Sequence, residues 1–318
     1  MKSIFKGTIF GIIAAGLIMA LAVQLQPARA QAITDSGAPA DLVIKTGSTE
    51  NHVYHKLTSQ LMSVCKTPVV DAKTSSGSPE SLDALLSNSA NLVWVAEDTL
   101  IARKQIENDS RVDGVRIFLP TFYTELHMLA LASNQTFNRF SELSNKKVGT
   151  YAGSYTTMRI LLAKAGMRAS VENFKTEAEA IKALNDGKID VFTAISGAPA
   201  VWMKGLTSAR YKLLTFDMPE VLAKVNRQTY TMVNLRYPDI SPSAIRTAGV
   251  RVSLVTYNYE SNKKKTDLSA LKNCLTANIV DLRETTGNLD KWRDINPAAT
   301  STDWEMFKPI PVKNTTKR

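Results

Sequence analysis

Lys146-Lys147-Val148-Gly149-Thr150-Tyr151-Ala152-Gly153-Ser154-Tyr155-Thr156-Thr157-Met158-Arg159 reads as a short strand over 148–151, a glycine turn and a helix that opens on hydroxyl side chains. Such an opening leaves backbone N–H groups unpaired and carries the positive end of the helix dipole. A carboxylate or phosphate can dock there without a charged side chain. Ser154 or Thr156 can equally serve as an ordinary helix cap. The surrounding chain decides between these readings.

Ahead of this stretch a β-loop-α pattern occurs three times. Strand 41–45 leads through loop 46–51 into a helix whose apolar stripe is Val53, Leu57, Leu61 and Val64. Strand 69–72 leads through 74–78 into a helix over Leu82, Leu85 and Leu86, with Ser78 as cap and Pro79 at the first helical position. Strand 91–96 runs directly into Glu97-Asp98 and a third helix. The repetition predicts a mostly parallel sheet with right-handed crossovers, and the three loops fall on its carboxyl edge, where open α/β sheets bind ligands. Residues 115–119 and 126–132 read as two further strands bracketing 120–125, and the second has no turn signal inside it.

After that crossing strand the pattern starts afresh: strand 147–151, helix 155–166, strand 171–174, helix 176–186, strand 189–195. A second crossing is expected at 229–235, and helical stretches at 266–283, 288–294 and 302–307. The layout is a discontinuous first domain, 31–131 plus 230–318, wrapped around an inserted second domain, 132–229. Two domains joined by two hinge crossings open and close around the cleft between them. The helix opening at Gly153 then becomes the second-domain wall of a cleft, facing three hydroxyl-rich loops.

Residues 1–30 have the form of a signal peptide: Lys2 and Lys6, an apolar run over 8–23, and Ala28-Arg29-Ala30 before Gln31. An uncleaved anchor is the competing reading, but Pro27 and the cleavage pattern favour removal after Ala30. The reading is an exported, periplasmic protein with a loose leader at 31–40. Removing 1–30 takes away three cations and no acid, so the formal charge falls from +10 to +7 over 288 residues. This suits an anionic ligand or an acidic partner surface. Lys263-Lys264-Lys265 and Lys317-Arg318 are the dense basic clusters and read as solvated loop or end, which argues against nucleic acid. Cys65 and Cys274 can form a disulfide in an oxidising compartment or remain two separately buried thiols.

Together these pieces resemble a known family. Thr46-Gly47-Ser48 with Glu50-Asn51 and Tyr54, Ser75-Ser76-Gly77-Ser78-Pro79-Glu80, Tyr123-Thr124-Glu125-Leu126-His127, Val148-Gly149 with Gly153-Ser154, Gly187-Lys188-Ile189-Asp190 and Gly197-Ala198-Pro199 follow one another as in TAXI-type solute receptors of tripartite ATP-independent (TRAP) transporters. The resemblance spans roughly 41–235. It implies an α/β, two-lobed type II periplasmic-binding fold, each lobe a mostly parallel sheet flanked by helices. It also implies capture of a small organic anion or amino acid, delivery to a membrane permease, and no cofactor. The family's cleft positions carry over to Ser48 and Tyr54, to Ser76 and Ser78, to Asp98, and to Ser154, Tyr155, Thr156 and Thr157; Glu50 of the first loop and Ser196 at the end of a second-domain strand are further candidates from the layout itself. The first loop departs from many relatives, with Glu50-Asn51-His52 and Tyr54-His55 in place of a glycine pair and a Tyr-Tyr. Ligand identity is therefore not carried over.

Catalytic and metal readings are weaker. His52 and His55 have metal-like spacing but no assignable third ligand, and read as one face of a helix. His127 lies in an apolar strand and reads as a core histidine. Ala152-Gly153-Ser154-Tyr155-Thr156 lacks both glycines of a nucleophile elbow, so an exported hydrolase has no triad to assign. Trp94 reads as core and Trp202 as a candidate cleft wall. A sensory or scavenging receptor without a permease is the alternative within binding proteins, and a monomer is expected.

Overall fold

The computed structural model describes residues 42–311. The signal-peptide reading of 1–30, the leader and the Lys317-Arg318 cluster lie outside the described residues. The first β-α units are β1 (Leu42–Lys45), α1 (Val53–Val64), β2 (Val70–Lys73), α2 (Ser78–Leu86), β3 (Leu92–Ala96) and α3 (Glu97–Gln105). β1 pairs in parallel with both β2 and β3. Side chains of a strand alternate between faces, and the burial follows: Leu42, Ile44, Leu92 and Trp94 enter one apolar cluster, Val43, Val93 and Val95 the other. Helices cover both faces of β1 and β3, so Leu42–Ile44 and Leu92–Ala96 are apolar throughout, whereas the edge strand β2 alternates Val70 and Ala72 with exposed Asp71 and Lys73.

β4 (Val115–Leu131) is one strand of 17 residues, not two strands around a connection. Leu119 and Pro120 pair with Leu254 and Ser253 of β10 (Ile245–Tyr257), and Glu125 to Leu129 pair with β7 (Val191–Ser196). Pro120 has no N–H to give, and the β4–β10 register shifts beside it, between Arg251 and Ser253. The second lobe adds β5 (Lys147–Tyr151), α4 (Ser154–Ala165), β6 (Ser170–Phe174), α5 (Glu177–Asn185), β8 (Tyr211–Leu213), α6 (Pro219–Val225) and β9 (Tyr230–Leu235). Among the described residues the ten strands form one mixed sheet in the order β2-β1-β3-β10-β4-β7-β5-β6, with β8 on β4 and β9 on β10. β5 runs parallel to β6 and β7, whereas β4 and β10 are antiparallel to all their neighbours.

Each half of the sheet has its own cores. Leu126, Met128 and Ala130 pack with Val148, Met158 and Leu161 in the second lobe, as do Tyr230, Ala248 and Val250.

The C-terminal third departs most from the sequence reading. β10 is a strand that the sequence pattern does not disclose, although it is the central partner of β3, β4 and β9. The expected helix 266–283 is two helices, α7 (Asn262–Ala277) and α8 (Ile279–Glu284), broken at Asn278. Residues 290–294 form a 3-10 turn. The expected helix at 302–307 is instead a bend over 302–304 followed by a single bridge to β4: Ile117 N–H donates to Glu305 O and Phe307 N–H to Ile117 O. Lys264, read as part of a solvated cluster, is buried in the first turn of α7. Cys65, which ends α1, and Cys274 of α7 form a disulfide.

Candidate ligand-binding cleft

The loops after β1 and β2, the end of β3 and the start of α4 meet around a cavity of about 80 Å³. From the first lobe come Ser48, His52, Tyr54, Ser76, Ser78 and Ala96; from the second come Tyr151 to Ser154, Thr157, Glu177, Ala194 to Ser196, and Trp202. Of the residues expected here, Ser48, Tyr54, Ser76, Ser78, Ser154, Thr157 and Ser196 line the cavity. Glu50 does not and is exposed. Tyr155 and Thr156 face the other side of α4, on a groove shared with Ile101, Ala102 and Ile106. Asp98 is fully buried behind the cavity wall.

The serines that open α2 and α4 are not caps. α2 begins at Ser78 with Gly77 as its N-cap, and α4 begins at Ser154 with Gly153 as its N-cap, neither cap using a side chain. Gly77 sits at φ 139°, which is closed to other residues, and lies against Ala152 and Gly153 across the cavity. The freed hydroxyls accept from strand ends instead: Ala96 N–H donates to Ser78 Oγ at 3.0 Å, and Ile195 N–H to Ser154 Oγ at 2.8 Å. Each lobe thus ties a cavity helix, α2 or α4, to a neighbouring strand by the same device. A helix-opening serine with no cap to make is a signal the sequence does not disclose.

In the first turn of α4, the N–H groups of Tyr155, Thr156 and Thr157 donate to Ala152 O or Gly153 O. Those of Gly153 and Ser154 have no carbonyl partner among the described residues. A ligand acceptor at this turn would therefore meet two N–H groups rather than the four of an open helix end. A third donor lies nearby, because the indole N–H of Trp202 is buried without a partner. Opposite, Tyr54 stacks on Trp94 at 5.6 Å, which places its ring as a fixed wall; burial raises its hydroxyl pKa well above the ordinary tyrosine range.

No lysine or arginine lines the cavity. Burial pushes the His52 pKa down to about 4, so it is neutral at neutral pH, and Glu177 is the charged lining residue. His52 Nδ1 accepts from Tyr54 N–H and caps α1. The other histidines are also engaged: His55 with Thr46, and His127 with Glu125 O and the Tyr237 hydroxyl. No histidine is hydrogen-bonded to a cavity serine, so the pairing that activates a serine nucleophile is not formed. Among the described residues no group of three or more His, Cys, Asp or Glu is placed to hold a metal.

Sequence reasoning missed His52, Tyr151 and Glu177. Each is the first or last residue beside a helix or strand end, and its direction depends on a turn that composition does not specify.

The profile of the NMT1-like family matches residues 44–263. No curated protein matches the chain. Among solved structures, a protein of Bordetella bronchiseptica RB50 is 16% identical, with a TM-score of 0.51 over 81% of this chain and 76% of that one. The amino acid ABC transporter substrate-binding protein AbpA from Streptococcus pneumoniae, bound to L-arginine, is 12% identical, with a TM-score of 0.50 over 80% and 95% of the two chains. At these identities the likeness is one of fold. With its two β-α lobes joined by long antiparallel strands, this protein has the two-lobed type II periplasmic-binding fold and belongs to the NMT1-like family.

Proposed function

We propose that the chain is an extracytoplasmic solute receptor of the TAXI type, which captures a small organic anion or amino acid and presents it to a TRAP permease. The observation that carries this reading is the cavity itself. Hydroxyls, two free main-chain N–H groups and an unpartnered indole N–H, contributed by both lobes, surround a space without a nucleophile–base pair. Neutral donors of this kind hold a carboxylate by geometry. The ligand wall in this reading is Ser48, Tyr54, Ser76, Ser78, Ser154, Thr157 and Ser196. In this reading the first lobe is 31–131 plus 230–318 and the second is 132–229, with β4 and β9 at the two crossings. The protein is a monomer acting in the periplasm after loss of residues 1–30.

A thermal-shift screen with L-glutamate, L-glutamine, L-arginine and succinate tests the reading, because a ligand that binds only the folded state raises its melting point. A shift with at least one of them, lost in Ser154→Ala, supports the receptor. No shift, together with turnover of p-nitrophenyl acetate, overturns it in favour of a hydrolase. Co-purification with a multi-span permease encoded beside it separates transport from sensing.

A further inference from the structure

Asp98 is buried to 0% exposure at the start of α3, and among the described residues it forms no ion pair. One oxygen, Oδ2, accepts two hydrogen bonds: from Thr157 Oγ1 at 2.5 Å and from the Tyr230 hydroxyl at 2.9 Å. These donors belong to different parts of the fold. Thr157 stands on α4 and lines the cavity, and Tyr230 is the first residue of β9, the strand that returns the chain along β10. Asp98 itself sits on a first-lobe helix whose next residue but one, Leu100, is in the first-lobe core. A single atom therefore joins the first lobe, the cavity wall of the second and the returning strand.

A buried carboxyl group without hydrogen bonds is costly, and with Oδ1 already unpartnered the two bonds to Oδ2 are what offset the burial. Burial raises the Asp98 pKa against the opposing effect of the Thr157 and Tyr230 bonds. If α4 moves away with its lobe, Asp98 loses the Thr157 bond. The carboxyl group thus favours the arrangement in which the cavity is walled on both sides.

We infer that Asp98 is a positioning residue, not a ligand contact: it latches α4 and β9 to the first lobe and so sets the closed form of the cleft. The inference rests on the cavity being the ligand cleft, but its first test does not need a ligand. In ligand-free protein, Asp98→Asn and Thr157→Val should accelerate amide exchange at the start of α4 and in β9 by about tenfold, the loss expected for one buried hydrogen bond, and enlarge the radius of gyration in small-angle scattering. Thr157→Ser keeps the hydroxyl and should restore slow exchange. Should Asp98→Asn fail to fold, Tyr230→Phe and Thr157→Val decide, since each deletes one donor from the same oxygen.

A purely local role would loosen α3 alone. Exchange unchanged at α4 and β9 in Thr157→Val and Tyr230→Phe overturns the latch. With L-glutamate as probe, the latch also requires faster release with a nearly unchanged association rate in Tyr230→Phe; an equal slowing of association overturns it. If L-glutamate does not bind wild-type protein, the ligand reading is in question and the ligand-free exchange still decides the latch.

Discussion

At the scale of single residues, the informative positions are polar groups held where water does not reach. Glu97, beside Asp98, has its Oε1 bonded by Ser253 Oγ at 2.6 Å. Burial pushes its pKa up to about 7, against the Ser253 bond and the nearby Arg251 charge. A raised carboxyl pKa means that the folded state holds its proton where the unfolded state, near 4.5, has lost it. The associated stability is present below about pH 4.5, falls as pH rises through about 7, and is level above that. His52 and His127 act in the opposite sense. With pKa values lowered to about 4 by burial, they destabilise the fold as pH falls from 6.5 towards 4. The difference between Glu97→Gln and wild type isolates the acid. Urea titrations at pH 5 and pH 8 should show the variant gaining on wild type by on the order of 1–3 kcal/mol at the higher pH; a pH-independent difference would rule the assignment out. Ser154→Ala is a second case. It strands the Ile195 N–H, costs about 1 kcal/mol in the same titration, and removes a cavity hydroxyl, so affinity for any shifting ligand should fall with it.

At the scale of elements, the strongest requirement is the close passage of β9, β10 and β4. Gly249 lies in the middle of β10, opposite Thr231 of β9 and Glu125 of β4. A β-carbon there would stand 2.7 Å from Val233 Cγ1 and 3.2 Å from Tyr123 Cβ. Both neighbours belong to strands paired on either side, so the Val233 side chain must turn or the strands must shift to admit it. Gly249→Ala should destabilise by roughly 1–3 kcal/mol through overpacking, read as a lower urea midpoint, and an unchanged midpoint would show that the strands can part. The same strand explains what sequence pattern could and could not deliver. The β-α units of 41–105 and 147–196 are legible because each apolar run is short, bounded by turn residues and followed by a helical stripe. β10 contains Arg246, Thr247, Gly249, Arg251 and Ser253, and its burial comes from neighbours far away in sequence. Residues 302–307 carry helix-like apolar spacing, but Ile117 offers a main-chain donor and acceptor that the segment pairs with instead. The cleft was legible to a similar depth: loops at the carboxyl edge pointed to its hydroxyls, whereas the burial of Asp98 and the outward face of Tyr155 and Thr156 depend on how α3 and α4 pack.

At the scale of the whole molecule, the chain leaves the first lobe, builds the second and returns, so the first lobe is assembled from two pieces far apart in sequence. Its main core draws on both: Leu42, Leu57 and Trp94 from the first piece, and Leu268, Leu271 and Trp292 from the second. The Cys65–Cys274 disulfide joins these pieces across a sequence separation of 209, a loop that encloses the second lobe. While the bridge is intact, unfolding of the inserted lobe leaves the two pieces of the first close together. Without it, they separate whenever both long strands, β4 and β10, let go. Closing a loop of this length restricts the unfolded chain strongly in the chain-entropy account, with typical losses of 2–5 kcal/mol on removal. The double variant Cys65→Ser, Cys274→Ser should therefore lower the first lobe's stability by about that amount, while the second lobe's own packing is untouched. Calorimetry of the oxidised protein should give a single transition, and the double variant an earlier one followed by residual melting of the second lobe. Amide exchange should locate the earlier step at α1 and α7, the helices that carry the two cysteines; equal melting of both proteins would mean that β4 and β10 alone hold the pieces together.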